Sequence, residues 1–384
     1  MVSLYLRQWF GHSVSWCSGT KSRLAEMTSE PVEINCQTLR EFVASALETR
    51  GVPEADADRV ASLMVEADIF GYGTHGVFRL RQYLARLAGG GCNATPNVTI
   101  EHETVATALI DGDDGLGHLA MAAARDLAIE KAKEAGIGWV GVRRGNHSGP
   151  LALYVRPQAE AGLLGMAAAV GSANHVPPYG GSDLLLGTNP IAFSAPADGQ
   201  DPFVFDMATT VAAMGKIKTL LQQGEPMPEG WMVGRDGNPL TDPARKSEGF
   251  LLPIGGPKGF GLSVAIGLMA GVLNGAAFGS DVVNFTSDTT SSTNTGQFVM
   301  ALNPAAFGMG NDFASNAARV FSEMRASVPL PGHDPVRLPG DGKTAAAEAR
   351  RKDGVRLNPA LCRDLNKLAE DCGLSPLFPS LSAD

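Results

Sequence analysis

The feature that most restricts the fold is a six-residue stretch, Gly71-Tyr72-Gly73-Thr74-His75-Gly76, which spells G-x-G-x-x-G. In a doubly wound dinucleotide-binding domain such glycines follow a buried strand and open a helix, and an acidic residue stands about 20 positions further on. Here the preceding segment, from Thr38 to about Ile69, is helical in pattern, with Val60, Leu63, Met64 and Ala67 at i, i+3, i+4 and i+7. The stretch from Gly90 to Pro96 holds no Asp or Glu. Gly255-Gly256-Pro257-Lys258-Gly259 likewise lacks the spacing and the Lys-Ser/Thr pair of a P-loop. The motif is therefore read as a turn, and the Rossmann fold is excluded.

Around that turn the pattern mixes helices with short strands. Thr74 is placed to cap a helix running to about Leu87. Residues 98–111 read as strands, with a turn at Gly112-Asp113-Asp114-Gly115. A helix with Ala120, Ala124, Leu127 and Ala128 on one face follows and stops at Gly136. Trp139–Val142, Leu164–Val170 and Ile191–Ala195 have the look of buried strands, and Phe298–Leu302 is another. Phe260 to Leu273 is apolar nearly all round, which predicts a buried core helix too short to span a bilayer. Residues 281–296 read as a loop, and the chain from Ala345 as helix followed by a Pro-rich stub.

A net charge of −9 with no basic stripe excludes nucleic acid as a partner, and no segment suits a membrane. An anionic ligand would need a local cationic pocket. The cysteines (Cys17, Cys36, Cys92, Cys362, Cys372) are odd in number and lack metal-ligand spacing. They predict structural thiols, no metal, and a reducing, cytoplasmic setting. Residues 1–25 contain no acid, while Arg7, Lys21 and Arg23 are basic and serines are frequent. That composition suits either a transit peptide or an upstream start, and the second is preferred because Met27 opens Met-Thr-Ser-Glu-Pro. Residues 1–26 are set aside as an N-terminal extension, 27–375 as the main folded region and 376–384 as a tail.

If Thr74 caps a helix, His75 lies in its first turn, with Arg79 and Tyr83 following at four-residue steps on one face. The Arg79 fork could then clamp a carboxylate while His75 reaches the neighbouring oxygen, and an imidazole titrating near neutrality suits proton transfer. The plainer alternative pairs Arg79 with a surface acid. His147, in Asn146-His147-Ser148-Gly149, follows the Trp139–Val142 strand, where α/β sheets place ligands. A solvated turn histidine is the alternative. Asp206 directly follows Phe203-Val204-Phe205 and needs a partner, either an imidazole to orient or a following helix to cap.

Seven landmarks in order resemble the malate/L-lactate dehydrogenase family, over about residues 36 to 375. They are Gly73–Val77 with Arg79, Asp111–Gly117, Asn146–Gly149, Leu186–Pro190, Asp206–Thr209, Lys258–Leu262 and Leu338–Asp341. The resemblance implies an α/β, family-specific mixed-sheet fold, with a helical N-terminal part, a central NAD(P)-binding part and a helical C-terminal part. It also implies an intertwined homodimer and NAD or NADP bound near the subunit interface. His75, His147 and Asp206 would be catalytic, and Arg79 would hold the substrate carboxylate beside Thr74 and Tyr83. Cofactor contacts would fall at Ser172, Asp206, Met207, Lys258, Gly340 and Asp341. Thr74, Ser148 and Pro257 depart from the family's usual Ser, aromatic and non-Pro residues. The implied reaction is reversible hydride transfer to and from C2 of a small carboxylate, a malate-, lactate- or sulfolactate-like 2-hydroxy acid. Cyclic imino-acid reduction and a catalytically inactive binding homologue are the competing expectations.

Overall fold

The structure is a computed structural model that describes residues 30–381 apart from Asn311. The expectations for residues 1–26 and for Cys17 lie outside the described residues. The chain opens with β1 (Val32–Ile34), α1 (Cys36–Glu48) and α2 (Glu54–Ile69). The predicted single helix over Thr38–Ile69 is thus two. Asn35 caps the first through its side chain, and Pro53, which cannot continue a helix from upstream, starts the second. After α3 (Leu80–Gly89) come β2 (Thr99–Glu103), β3 (Thr107–Asp111), α4 (Gly117–Ala135), β4 (Ile137–Gly145) and α5 (Ala152–Glu160). Then follow β5 (Leu164–Ala169), β6 (Ile191–Ala195), β7 (Phe203–Met207), α6 (Met214–Gln223), β8 (Met232–Gly234) and β9 (Gly249–Leu251). The chain continues through α7 (Pro257–Ile266), β10 (Thr295–Leu302) and α8 (Asp312–Arg325) to α9 (Lys343–Asp353), β11 (Val355–Leu357) and α10 (Pro359–Asp371).

Among the described residues the central element is a seven-stranded sheet in the order β2-β3-β4-β10-β5-β6-β7. Only β3 and β4 pair in parallel; the other neighbours are antiparallel. This is the mixed α/β sheet that was expected, and not a Rossmann sheet. Side chains alternate across it. Ala167 and Ala169 face the layer of α4 and α5, while Ala168 and Val170 face Ile266 and Ala270 on the other side. A helical layer of α1, α2 and α3 packs with α10 around Leu39, Leu47, Met64, Leu80 and Leu365.

The segment Phe260–Leu273 departs from a buried helix. After α7 it widens into a π turn at Gly267–Gly271 and a 3-10 turn at Val272–Asn274. Ile266 and Ala270 are buried, but Leu268, Val272 and Leu273 are at least half exposed. No helix among the described residues is long and apolar enough to cross a membrane.

The glycine motif does the work of a helix stop and a tight corner. Gly71, at φ +78°, ends α2, and the Tyr72 amide reaches back to Ala67 O at 2.7 Å, the six-to-one bond of a Schellman close. Asp68, on the last turn of α2, accepts a hydrogen bond from Val77 N at 2.8 Å. A Cβ on Gly76 would lie 2.2 Å from Asp68 Oδ2, so only glycine lets the chain pass the carboxylate this closely. Thr74 does not cap a helix. A 3-10 turn, Val77–Arg79, intervenes before α3, and no side chain caps it.

Burial pushes the Asp68 carboxyl up to about 7, against the lowering effect of the Val77 hydrogen bond. Because the folded value exceeds the unfolded one, the penalty is absent below pH 4. It grows as pH rises through 4–7, reaching on the order of 4 kcal/mol above that window. Asp68→Asn keeps an acceptor for Val77 N and removes the charge. It is expected to melt several degrees above wild type at pH 8, with the difference vanishing toward pH 4. Parallel pH dependences of the two melting temperatures would refute this reading of Asp68.

Candidate functional site

The corner after α2, the end of β4, the segment after β5, the start of α6 and residues 284–287 converge on one cleft of about 320 Å³. His75 and Arg79 enter it from the corner, and His147 from just beyond β4. Ser172, His175 and Lys218 complete the polar lining, while Leu151, Val170, Met214 and Phe285 are among its apolar walls. No Asp or Glu is among the described residues that line it.

His75 and His147 stack with centroids 5.8 Å apart and planes at 17°, and Phe285 stacks on His147 at 5.3 Å. Thr74 Oγ1 is 2.9 Å from His75 Nδ1. The Tyr83 hydroxyl is 2.6 Å from His147 Nδ1, and the Gly149 amide donates to the same nitrogen at 3.3 Å. Arg79 Nε donates to Thr74 O at 3.0 Å, and no carboxylate pairs with its fork among the described residues. Burial, then Arg79, lowers His75 to about 4. Burial, then Arg79, His75 and His118, holds His147 well below the usual imidazole value. Both rings are therefore neutral in the free protein at pH 7, so the expected titration near neutrality is moved down by desolvation.

The structure brings His75, Arg79, His147 and Ser172 to the cleft, with Thr74 and Tyr83 directly behind the two imidazoles. It does not bring Asp206, Met207, Lys258, Gly340 or Asp341 to that lining. Asp206 Oδ2 accepts from Ala152 N at 2.9 Å, so it caps α5, an earlier helix, instead of touching an imidazole. Burial raises its carboxyl to about 6. Asp341 is held by Arg325 at 2.6 and 3.0 Å and by Leu338 N at 2.8 Å. Gly340 packs on β7, where a Cβ would meet Pro202 O at 2.4 Å. Lys258 is exposed on the first turn of α7.

Sequence reasoning missed His118, His175 and Lys218. His118 is fully buried, edge-on to Tyr83 at 5.3 Å, with neither ring nitrogen bonded among the described residues. Its only local signal was its place directly after the Asp111–Gly117 landmark. Lys218 and His175 carried none, because only the fold carries them to the cleft.

Part of the cleft wall is made of small residues, Ala169, Gly171, Ser172 and Ala173. Gly171 backs onto Gly187, and a Cβ on either would come within 2.7 Å of the other's segment. Ser172 beside them has an unbonded hydroxyl among the described residues.

Residues 34–366 match the sequence profile of the malate/L-lactate dehydrogenase family. The chain is 35% identical to L-sulfolactate dehydrogenase of Methanocaldococcus jannaschii, over 88% of this chain and 96% of that one. It is 33% identical to ureidoglycolate dehydrogenase (NAD(+)) of Escherichia coli O157:H7, over 85% and 93%. The solved structure of malate dehydrogenase from Pyrococcus horikoshii superposes with a TM-score of 0.81 at 32% identity, covering 90% of this chain and 97% of that one. Fold, landmarks and relatives agree that this chain belongs to the malate/L-lactate dehydrogenase family.

Proposed function

We propose that the cleft is where this dehydrogenase oxidises and reduces C2 of a small 2-hydroxy/2-keto acid with NAD or NADP. The observation that carries the reading is the charge of the lining: Arg79, Lys218 and three histidines, with no acid, inside a chain of net charge −9. When bound, the nicotinamide supplies the hydride donor and acceptor. Ser172 in the cleft would hold the cofactor, with the exposed Lys258, outside the lining and without an acidic partner among the described residues, as a second candidate, whereas Asp206 and Asp341 already serve protein partners.

The chain's own residues handle the carboxylate and the proton. Arg79 offers a planar fork with nothing to neutralise it, which suits a bidentate carboxylate. A backbone N–H can only donate, so the Gly149 contact requires a lone pair on His147 Nδ1. Tyr83 then donates to the same atom, and the ring proton sits on Nε2. His147 is thereby a fixed donor that polarises the substrate oxygen. The Thr74 hydroxyl can either donate to or accept from His75, so His75 can change tautomer and exchange the proton. In oxidation it takes the hydroxyl proton as base; in reduction it returns that proton to the C2 oxygen. A homodimer and a cytoplasmic setting complete the reading, the first supported by the apolar Leu268, Val272 and Leu273 left exposed beside α7.

Arg79→Ala is expected to lower kcat/KM for the keto acid by about 30- to 1000-fold, the worth of a charge-assisted bidentate pair, with little change in KM for the reduced cofactor. An unchanged value for the acid would remove Arg79 from the site. The histidines are separable by pH. Oxidation needs a neutral base, so its rate rises with pH through the His75 pKa and then levels. His75→Asn should cut kcat by about 10²–10⁴-fold and erase that inflection, while His147→Asn slows turnover and keeps it. Loss of the inflection in the His147 variant alone would exchange the roles. Nitrogen-15 NMR of the free protein should show His147 as the neutral Nε2–H tautomer at pH 7. A protonated Nδ1 would contradict the donor assignment. Turnover of a cyclic imino acid in preference to every keto acid would overturn the hydroxy-acid reading itself.

A further inference from the structure

Residues 284–291 form neither helix nor strand, yet Asn284, Phe285, Thr286 and Ser287 are a wall of the cleft. Helix α3 fixes this segment. Arg86 on α3 is 1% exposed and has no acidic partner within ion-pair distance among the described residues. Its guanidinium donates to three carbonyls: Asp288 O, Ser291 O at 2.7 Å and Gly91 O at 2.6 Å. Gln82, one turn earlier, donates to Phe285 O at 2.9 Å. Gly89 and Gly91 let the two backbones touch, since a Cβ on them would lie 2.4 and 2.6 Å from Thr289 O. The Phe285 amide is spent on Ser172 O at 2.9 Å. Burying a cation without an acid is costly, and the carbonyls offset that cost only while the segment stays where Arg86 can reach it.

The same helix carries Tyr83, whose hydroxyl is 2.6 Å from His147 Nδ1. Arg86 lies 5.3 Å over the Phe285 ring, and Phe285 stacks on His147 at 5.3 Å with planes at 27°. His147 is therefore held in its plane by Tyr83 and against its face by Phe285, and α3 places both. From this arrangement we infer that Arg86 is a positioning residue, which sets Phe285 against the His147 imidazole and so fixes the ring rotation in which Nδ1 meets Tyr83 and Gly149. A half-turn of the imidazole would put Cδ2 where Nδ1 stands and withdraw Nε2 from its place. The inference rests on the proposed role of His147 as an oriented donor. It adds that this orientation depends on a buried cation outside the cleft lining, acting through one aromatic ring.

Nitrogen-15 NMR of the ligand-free full chain at pH 7 reads the His147 tautomer, with His147→Asn identifying its signals. Wild type is expected to show the Nε2–H tautomer alone. In Arg86→Met both nitrogen shifts of His147 should move toward the average of the two tautomers. Phe285→Leu, which keeps apolar bulk and loses the flat ring, should do the same. Rates are measured with whichever of pyruvate, oxaloacetate and 3-sulfopyruvate wild type reduces fastest. Each single variant should lose about 10- to 100-fold in kcat, the cost of a misplaced group, with KM for the keto acid and the reduced cofactor within about threefold. Because the two residues act in series, the double variant should be no slower than Phe285→Leu. Arg86→Lys keeps a charged donor for the same carbonyls and should recover part of the loss.

A double variant whose loss is the product of the two single losses would detach Arg86 from Phe285 and overturn the inference, leaving the dehydrogenase reading intact. So would an unchanged His147 spectrum in both single variants, or a loss confined to KM. If Arg86→Met does not fold, Gln82→Met takes its place. Gln82 is half-buried on the same helix, and its loss frees Phe285 O. The His147 shifts should then move in the same direction, and unchanged shifts there and in Phe285→Leu refute the inference. If no keto acid turns over, the proposed function fails, and the NMR comparison decides the role of Arg86 by itself.

Discussion

The Asp68 carboxylate, buried at the end of α2 and bonded to Val77 N, is the contact on which the functional cleft hangs. Its position leaves no room for a Cβ at Gly76, and Gly71 has already turned the chain out of the helix. Between these two points the chain has one short path, and that path throws His75 into the cleft. Arg79 Nε then closes back on Thr74 O, and α3 starts in an orientation that puts the fully buried Tyr83 beneath His147. An acid buried against a single amide is an expensive anchor. It is tolerated because the surrounding layer of α1, α2, α3 and α10 is densely apolar, with Leu39, Met64 and Leu80 wholly buried.

The second half of the cleft has an anchor of opposite sign. Arg144, near the end of β4 in a left-handed conformation at φ +46°, binds Asp111, Asp113 and Asp114 together. Asn146 then donates to Asp114 O and Gly115 O, and accepts from Thr293. His147 therefore leaves the strand from a clamped residue. The acidic landmark Asp111–Gly117 serves as scaffolding, since its carboxylates are consumed by an arginine and none lines the cleft. Acidic side chains hold the walls in place, while the titratable side chains among the described residues of the lining are only cations and imidazoles.

This division explains what could be read from the sequence. Landmarks tied to local geometry were legible: the failed Rossmann context, the corner with His75 and Arg79, and His147 beyond its strand. Strand positions were legible for the same reason, as short apolar runs between Gly, Asn and Pro. The details that failed depend on contacts that a helix or strand period does not reveal. Thr74 looked like a cap, but Asp68 supplies the bond that starts the turn. Asp206 looked ready for an imidazole, yet the fold gives it the amide of Ala152, fifty-four residues away. The Phe260–Leu273 pattern carried no sign that Leu268 and Val272 would stay outside. Lys218 sits in an ordinary amphipathic helix, and only the packing of Gly215 on Thr74 makes it part of the cleft.

The histidine pair makes proton chemistry depend on what is bound. With the cleft free of ligand, His75 and His147 stack beside Arg79 in a desolvated space, and both imidazoles stay neutral. Protonating His75 there would set a second charge next to an uncompensated guanidinium. A carboxylate on Arg79 cancels that repulsion and adds an anion near His75, and both effects raise the imidazole's proton affinity. On the proposed reading, the substrate carries in the negative charge that lets His75 take a proton. On the same reading His147 does not share in this adjustment, because the Gly149 amide donates to its Nδ1 and the Tyr83 hydroxyl lies 2.6 Å from the same atom. Two neighbouring rings of the same kind would thereby differ in role through their Nδ1 atoms. One faces a hydroxyl that can reverse its hydrogen bond, and the other faces an amide that cannot.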